Sequence, residues 1–175
     1  SPVGEYAITI LGRERIFEYF SHRFKISMAL LRLNYATELR YGVLVDLARQ
    51  IHQGKMIDLS MGYVNVIWQA DANAIAIQML EHVSTPPEVI NIAGSRILNV
   101  RDTCEQLAEC MGKPVRFSGC EATDALLSNA GKCISCFGNP QHESDVMIRW
   151  TADWVLNDGE HSGKPTHFSN REGSF

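Results

Sequence analysis

The chain has 175 residues, 45% hydrophobic and 21% charged, with 13 Gly and 6 Pro, a balance that builds one core with at most a small annex and excludes disordered, collagenous and low-complexity chains. Acidic residues outnumber basic ones by 20 to 16, which leaves no positive field for a phosphate backbone, so nucleic acid is not an expected partner. The longest apolar runs are broken by Arg32, Gln69 or Asp71, short of the roughly 18 residues that span a bilayer, so no membrane partner is expected either.

Tyr6, Ile10, Phe17, Phe20 and Phe24 recur at helical spacing, and residues 5–24 are predicted as an amphipathic helix whose aromatic stripe needs a partner. The largely apolar run 25–33 suits a strand buried on both faces of a parallel sheet. Val43, Leu44, Leu47, Ala48 and Ile51 predict a second helix over 41–53, stopped by Gly54. Residues 64–68 then predict a strand, and Asp71 an N-cap opening an Ala-rich helix over 72–82. A short buried strand over 89–94 and a helix from 100 to 111, started by Asn99 or Ser95 and ended by Gly112, follow. A brief strand at 115–117, helices over about 122–137 and 146–156, and an extended polar tail from 157 complete the chain. Helices alternating with buried strands predict an α/β fold.

Four segments in order, Tyr6-Ala7-Ile8-Thr9-Ile10-Leu11-Gly12-Arg13-Glu14, Leu30-Leu31-Arg32-Leu33, Val64 to Ala72, and Val89-Ile90-Asn91-Ile92-Ala93-Gly94, resemble the C-terminal half of the extended short-chain dehydrogenases/reductases, the NAD-dependent epimerase/dehydratase family. Residues 127–132, the turn Phe137-Gly138-Asn139-Pro140, and Ile148-Arg149-Trp150-Thr151-Ala152-Asp153-Trp154 are similar to that family's closing pattern. The resemblance implies the C-terminal part of a Rossmann-like, doubly wound parallel sheet over residues 1–95. It implies a small mixed α/β substrate-binding subdomain with an extended tail over 96–175. It also implies NAD or NADP as cofactor and a sugar, nucleotide-sugar or small carbonyl substrate. The sequence contains no G-x-G-x-x-G turn of the kind that holds a dinucleotide pyrophosphate. The expectation is therefore of a fragment from a parent about twice as long, inactive by itself. A homodimer through helix 5–24 is expected from the way the family's equivalent helix packs against its twin.

In that family a Tyr and a Lys four residues on share one helical face, the phenol moving the proton and the ammonium assisting it. The resemblance places Tyr6 as catalytic and nicotinamide-side tyrosine, but Ile10 stands where the Lys belongs. A phenol with no cation beside it stays protonated at neutral pH and is a weak base. Tyr6 is thus open to two readings, proton-transfer group or one more aromatic of the stripe. Asn34 and Tyr35 follow the strand ending at Leu33, and ligands in open α/β sheets bind beyond the carboxyl ends of strands. They are the cofactor-side candidates, with Asn34 also facing substrate; a loop Asn bonding its own backbone is the alternative. Trp68 and Gln69 close the next β segment, and the resemblance places them near the substrate cleft, although Trp68 also suits a core position. The Arg that nucleotide-sugar enzymes of the family carry before this segment is missing from Asp58 to Tyr63.

Cys133 and Cys136 form a C-x₂-C pair with His142 and Cys120 nearby, the beginnings of a zinc site, but the second tight pair such a site needs is missing. On a helix these cysteines read as small apolar fillers, and no metal is expected. Residues 1–5 show no basic and apolar leader and the five cysteines are odd in number, which points to reduced thiols and a cytoplasmic location. With Ile10 at the Lys position, a non-catalytic nucleotide-sensing or scaffold protein of the same fold stands as the alternative function.

Overall fold

The computed structural model describes residues 4–171. Helix α1 (Gly4–Phe24) is followed by strands β1 (Ala29–Leu33) and β2 (Ala36–Thr37), helix α2 (Val43–His52), and strands β3 (Met56–Asp58), β4 (Tyr63–Val64) and β5 (Ile67–Trp68). Helix α3 (Gln69–Gln78) runs into a 3₁₀ turn over Met79–His82, and strand β6 (Glu88–Ile92), strand β7 (Leu98–Asn99) and helix α4 (Val100–Met111) come next. Strand β8 (Arg116–Ser118), helix α5 (Gly131–Phe137) and helix α6 (Ser144–Leu156) end the regular structure. The β1/β6, β2/β5 and β3/β8 pairs are parallel, whereas β4 and β7 are antiparallel.

Two packed clusters hold the chain. In the first, the apolar faces of α2, α4 and α6 meet β3, β4 and β7, with Leu44, Leu47, Leu59, Val100 and Leu107 fully buried and Phe168 of the tail inserted among them. Each such side chain removed from water contributes about 1.5–3 kcal/mol. In the second, Ile67, Ile75, Met79, Ile90 and Ile92 from β5, α3 and β6 close around Cys133 of α5. Helix α4 has the predicted bounds: the Asn99 side chain accepts from the Asp102 amide at 3.1 Å, and Gly112 ends it at φ 61°, a backbone that favours glycine.

Several expectations are corrected. The strand of 25–33 covers only Ala29–Leu33; it pairs with β6 along one edge, so only Leu30 is buried and Leu33 stays 56% exposed. The strand over 64–68 is two, because the chain turns at Asn65-Val66 and the halves join different partners. Asp71 is not an N-cap: it lies in the first turn of α3, which begins at Gln69 after Trp68. The helix expected over 122–137 is confined to Gly131–Phe137.

Helix α1 has the predicted length but presents an unexpected face. Glu14 and Ser21 point inward, while Tyr6, Phe17, Phe20 and Phe24 remain exposed along one side. The polar pair turns inward because each finds partners. Arg32 of β1 donates to both carboxylate oxygens of Glu14, at 2.8 and 2.6 Å, and Ser21 Oγ donates to the Ile26 carbonyl at 2.7 Å. The bidentate ion pair anchors α1 on β1. It holds the Glu14 carboxyl below its ordinary value through the Arg32 hydrogen bond, against the opposing effect of burial.

Candidate functional site

Asn65, only 2% exposed, interrupts an otherwise apolar β run and uses its whole amide. Its Nδ2 donates to the Gly94 carbonyl at 3.2 Å and the Ser128 carbonyl at 2.7 Å. Its Oδ1 accepts from Asn34 Nδ2 at 3.1 Å and the Ser128 amide at 3.3 Å. An amide has two donor hydrogens and two acceptor lone pairs, and all four are engaged. This residue pins the turn after β1, the turn after β6 and the segment before α5 at one point. Gly94 lets the backbones approach: a Cβ there would stand 2.0 Å from the Val66 carbonyl oxygen.

Asn34 occupies the carboxyl end of β1. Its backbone amide donates to the Ile92 carbonyl at 2.9 Å, and its Nδ2 also reaches the Asn65 carbonyl at 3.2 Å. The donors are spent on the protein, which leaves the side-chain oxygen as the group Asn34 offers a ligand. Tyr35 follows at φ 41°, and its carbonyl accepts from the Ile67 amide at 3.2 Å. Its ring packs against the first core cluster. Burial, and secondarily Tyr41, push its phenol above the ordinary value, so at neutral pH it is a hydrogen-bond donor and not a base.

The other sequence candidates lie in different surroundings. Tyr6 is on the first turns of α1, 60% exposed, with Ile10 half-buried one turn on. Trp68 belongs to an aromatic cluster, its ring 5.5 Å from Trp150 and 5.9 Å from His142. Gln69 is exposed at the start of α3. The hydrogen bonds of the Asn65 hub run to Asn34, Gly94 and Ser128, and not to Trp68 or Gln69. Sequence reasoning missed Asn65, whose signal is a β-poor residue inside a β-rich run. It also missed the pairing of buried Asp71 with His142, where Oδ1 lies 2.9 Å from Nδ1 and Oδ2 accepts from the His142 amide at 3.0 Å.

No group of His, Cys, Asp and Glu that could hold a metal occurs among the described residues. Cys133 is buried, whereas Cys136, three positions on, is exposed. Nor do the described residues fit a dinucleotide pyrophosphate, which needs free amides at a glycine turn opening a helix. Gly42 opens α2, but Thr37 Oγ1 lies 2.1 Å from where its Cβ would be, and the Gly131 amide at the start of α5 is taken by Asn129 Oδ1 at 2.8 Å. No helix among the described residues is long and apolar enough to cross a membrane.

No protein-family profile matches the sequence, and no curated protein matches it. Solved structures do match in fold. The UDP-glucose 4-epimerase of Thermotoga maritima with UDP-glucose superposes with a TM-score of 0.74 at 17% identity, over 90% of this chain and 55% of that one. The UDP-glucuronic acid 4-epimerase of Bacillus cereus with NAD gives 0.74 at 18% identity, over 90% and 54%. The dTDP-glucose 4,6-dehydratase of Bacillus anthracis with NAD gives 0.73 at 15% identity, again over 90% and 54%. The chain spans about half the length of the structures it matches. The expected fold, that of the C-terminal part of an NAD-dependent epimerase/dehydratase chain, is the fold observed.

Proposed function

We propose that this chain supplies the substrate side of an NAD(P)-dependent epimerase, dehydratase or reductase acting on a sugar, a nucleotide sugar or a small carbonyl compound. The observation that carries the reading is the Asn34–Tyr35 turn. It stands at the carboxyl end of a parallel strand, where α/β sheets bind ligands, and is locked in place by a saturated buried amide. Asn34 Oδ1 accepts from a substrate hydroxyl, and the Tyr35 phenol donates from the same turn. Trp68 and Gln69 flank the substrate farther along. Tyr6 is the proton-transfer group, working without the usual ammonium because position 10 is Ile.

NAD or NADP would supply hydride chemistry when bound, and in this reading Tyr6, Asn34 and Tyr35 meet its nicotinamide end. Its pyrophosphate is, in this reading, held by a Gly-rich turn that these residues do not supply. On the same reading residues 1–95 complete the cofactor-binding unit and residues 96–175 form the substrate-binding part with its tail, in a cytoplasmic protein. A second reading, a nucleotide-sensing or scaffold protein of the same fold, is favoured by one observation, the apolar side chain of Ile10. The test is conversion of a panel of sugars, nucleotide sugars and small carbonyls by the natural protein that carries these residues, supplied with NAD(P) or NAD(P)H, read by product analysis for epimers and dehydration products and by NAD(P)H absorbance for net oxidation or reduction. Turnover of any member supports the enzyme; none across the panel supports the sensor.

The same proposal includes a homodimer through α1. Tyr6, Phe17, Phe20 and Phe24 line one exposed side of the helix, and the Phe20 and Phe24 rings stack 5.6 Å apart. Monomers seldom leave so continuous an apolar strip in water. Light scattering at high micromolar concentration should give twice the chain mass; a strict monomer would contradict the dimer.

A further inference from the structure

The polar tail after α6, as far as Arg171, forms no helix or strand, yet it is fastened to the fold at several points. The Ser162 amide donates to the Arg40 carbonyl at 2.9 Å, and both the amide and Oγ1 of Thr166 donate to Asp46 Oδ2, at 2.8 and 2.7 Å. Phe168 is buried in the first core cluster, and Arg171 donates to the Ser60 carbonyl at 3.2 Å. The strap so formed lies over α2 and encloses a groove of about 570 Å³.

The charge of this groove runs against that of the chain. The whole sequence carries a net charge of −4, but the groove is lined by Arg40, Arg49, Lys55 and Lys164 against the single carboxylate of Asp46. Asp46 is engaged by Thr166, and Arg40 is paired with Glu38 at 3.0 Å. Arg49, Lys55 and Lys164 make no ion pair or side-chain hydrogen bond among the described residues. Like charges gathered in a concave wall repel one another and raise the local concentration of anions. Arg49 and His161 also line an adjoining pocket of about 280 Å³, beside His52, whose buried Nδ1 has no hydrogen-bond partner among the described residues. The turn that carries His161 is itself held, since the Trp154 indole donates to the Glu160 carbonyl at 2.9 Å and the His161 ring accepts from the Gly163 amide at 3.0 Å.

We infer that the groove between α2 and the C-terminal strap binds a small polyanion of the phosphate class. Arg49 and Lys164, one from the helix and one from the strap, grip it from opposite walls, and Lys55 closes one end. The site is built from α2, the residues flanking it and the tail, and shares no residue with the Asn34–Asn65 hub.

Calorimetric titration of the 175-residue chain with inorganic pyrophosphate tests this at about 50 mM salt, where screening still permits such contacts. One saturable site with a dissociation constant below about 1 mM is expected, and Arg49→Gln and Lys164→Gln should each weaken it roughly tenfold, the effect of one charge-assisted hydrogen bond. Neither side chain holds the fold, so both variants should melt with the wild type; Lys55→Gln, on an exposed residue, is the substitute if one does not. Arg101→Gln, outside the groove, should bind like the wild type. Absence of saturable heat, unchanged affinity in the groove variants, or equal weakening by Arg101→Gln would each overturn the inference.

Discussion

Replacing Asn65 by Ala removes four hydrogen bonds at once and strands the Gly94 carbonyl and both backbone groups of Ser128, while the Asn34 amide keeps only the backbone carbonyl of residue 65. At roughly 0.5–1.5 kcal/mol each the bonds sum to some 2–6 kcal/mol. Asn34 and Ser128 are only half-buried, so water re-enters on their side and the loss should fall at about 2–4 kcal/mol. Asn65→Asp keeps the acceptor for Asn34 and Ser128 but turns a second oxygen against two carbonyls, so it should cost at least as much. Asn34→Ala, which removes only the two Nδ2 donations, should cost about 1 kcal/mol. The double variant should lose less than the sum of the single ones, since the two residues share a bond. Urea denaturation of the four proteins reads these values directly. A loss under about 0.5 kcal/mol for Asn65→Ala, or a stable Asn65→Asp, would refute the claim that this amide pins the site.

Burial pushes the Cys104 thiol up to about 12 and raises that of Cys133 as well. A thiol reagent at neutral pH should therefore modify Cys110, Cys120 and Cys136 quickly, and Cys104 and Cys133 only after denaturation. Because Arg32 holds Glu14 below its ordinary value of 4.5, their contribution is present above that pH and is lost as the pH falls through the lowered folded value. Hydrogen exchange in α1 should rise on acidification below about 4.5, and Arg32→Leu should abolish that pH dependence. In an active parent protein, Tyr6→Phe should reduce turnover by a factor on the order of 10²–10⁴; unchanged turnover would assign Tyr6 to structure, and a gain from Ile10→Lys would point to a decayed site.

Helices announced themselves wherever one face meets the core. The spacing of Val43, Leu44, Leu47, Ala48 and Ile51 located α2, and Asn99 with Gly112 bounded α4. What could not be read was set by contacts distant in sequence. The aromatic periodicity of α1 is real, yet the inward face carries Glu14, because its partner Arg32 lies 18 residues away. The run 64–68 looks like one strand until Asn65 finds Ser128, 63 residues on. Asp71 has the composition of a cap but serves His142. At the candidate site, the position of Asn34 and Tyr35 after a strand was legible, whereas the amide that holds them was hidden as a single polar letter in an apolar run. The basic groove was illegible because its cations come from α2 and the residues flanking it and from a tail more than 100 residues later.

The central claim is that these residues carry a substrate side without a pyrophosphate cradle. Calorimetric titration of the 175-residue chain with NAD, NADP, UDP-glucose and simple sugars tests it most directly. With the basic groove removed by Arg49→Gln and Lys164→Gln, no saturable heat is predicted for the dinucleotides below about 1 mM, since a few hydrogen bonds at roughly 0.5–1.5 kcal/mol each do not offset the several kcal/mol lost in immobilising so large a ligand. At least one sugar ligand should bind with an affinity that Asn34→Ala weakens. A micromolar dissociation constant of that double variant for NAD or NADP, or sugar binding indifferent to Asn34→Ala, would contradict the account.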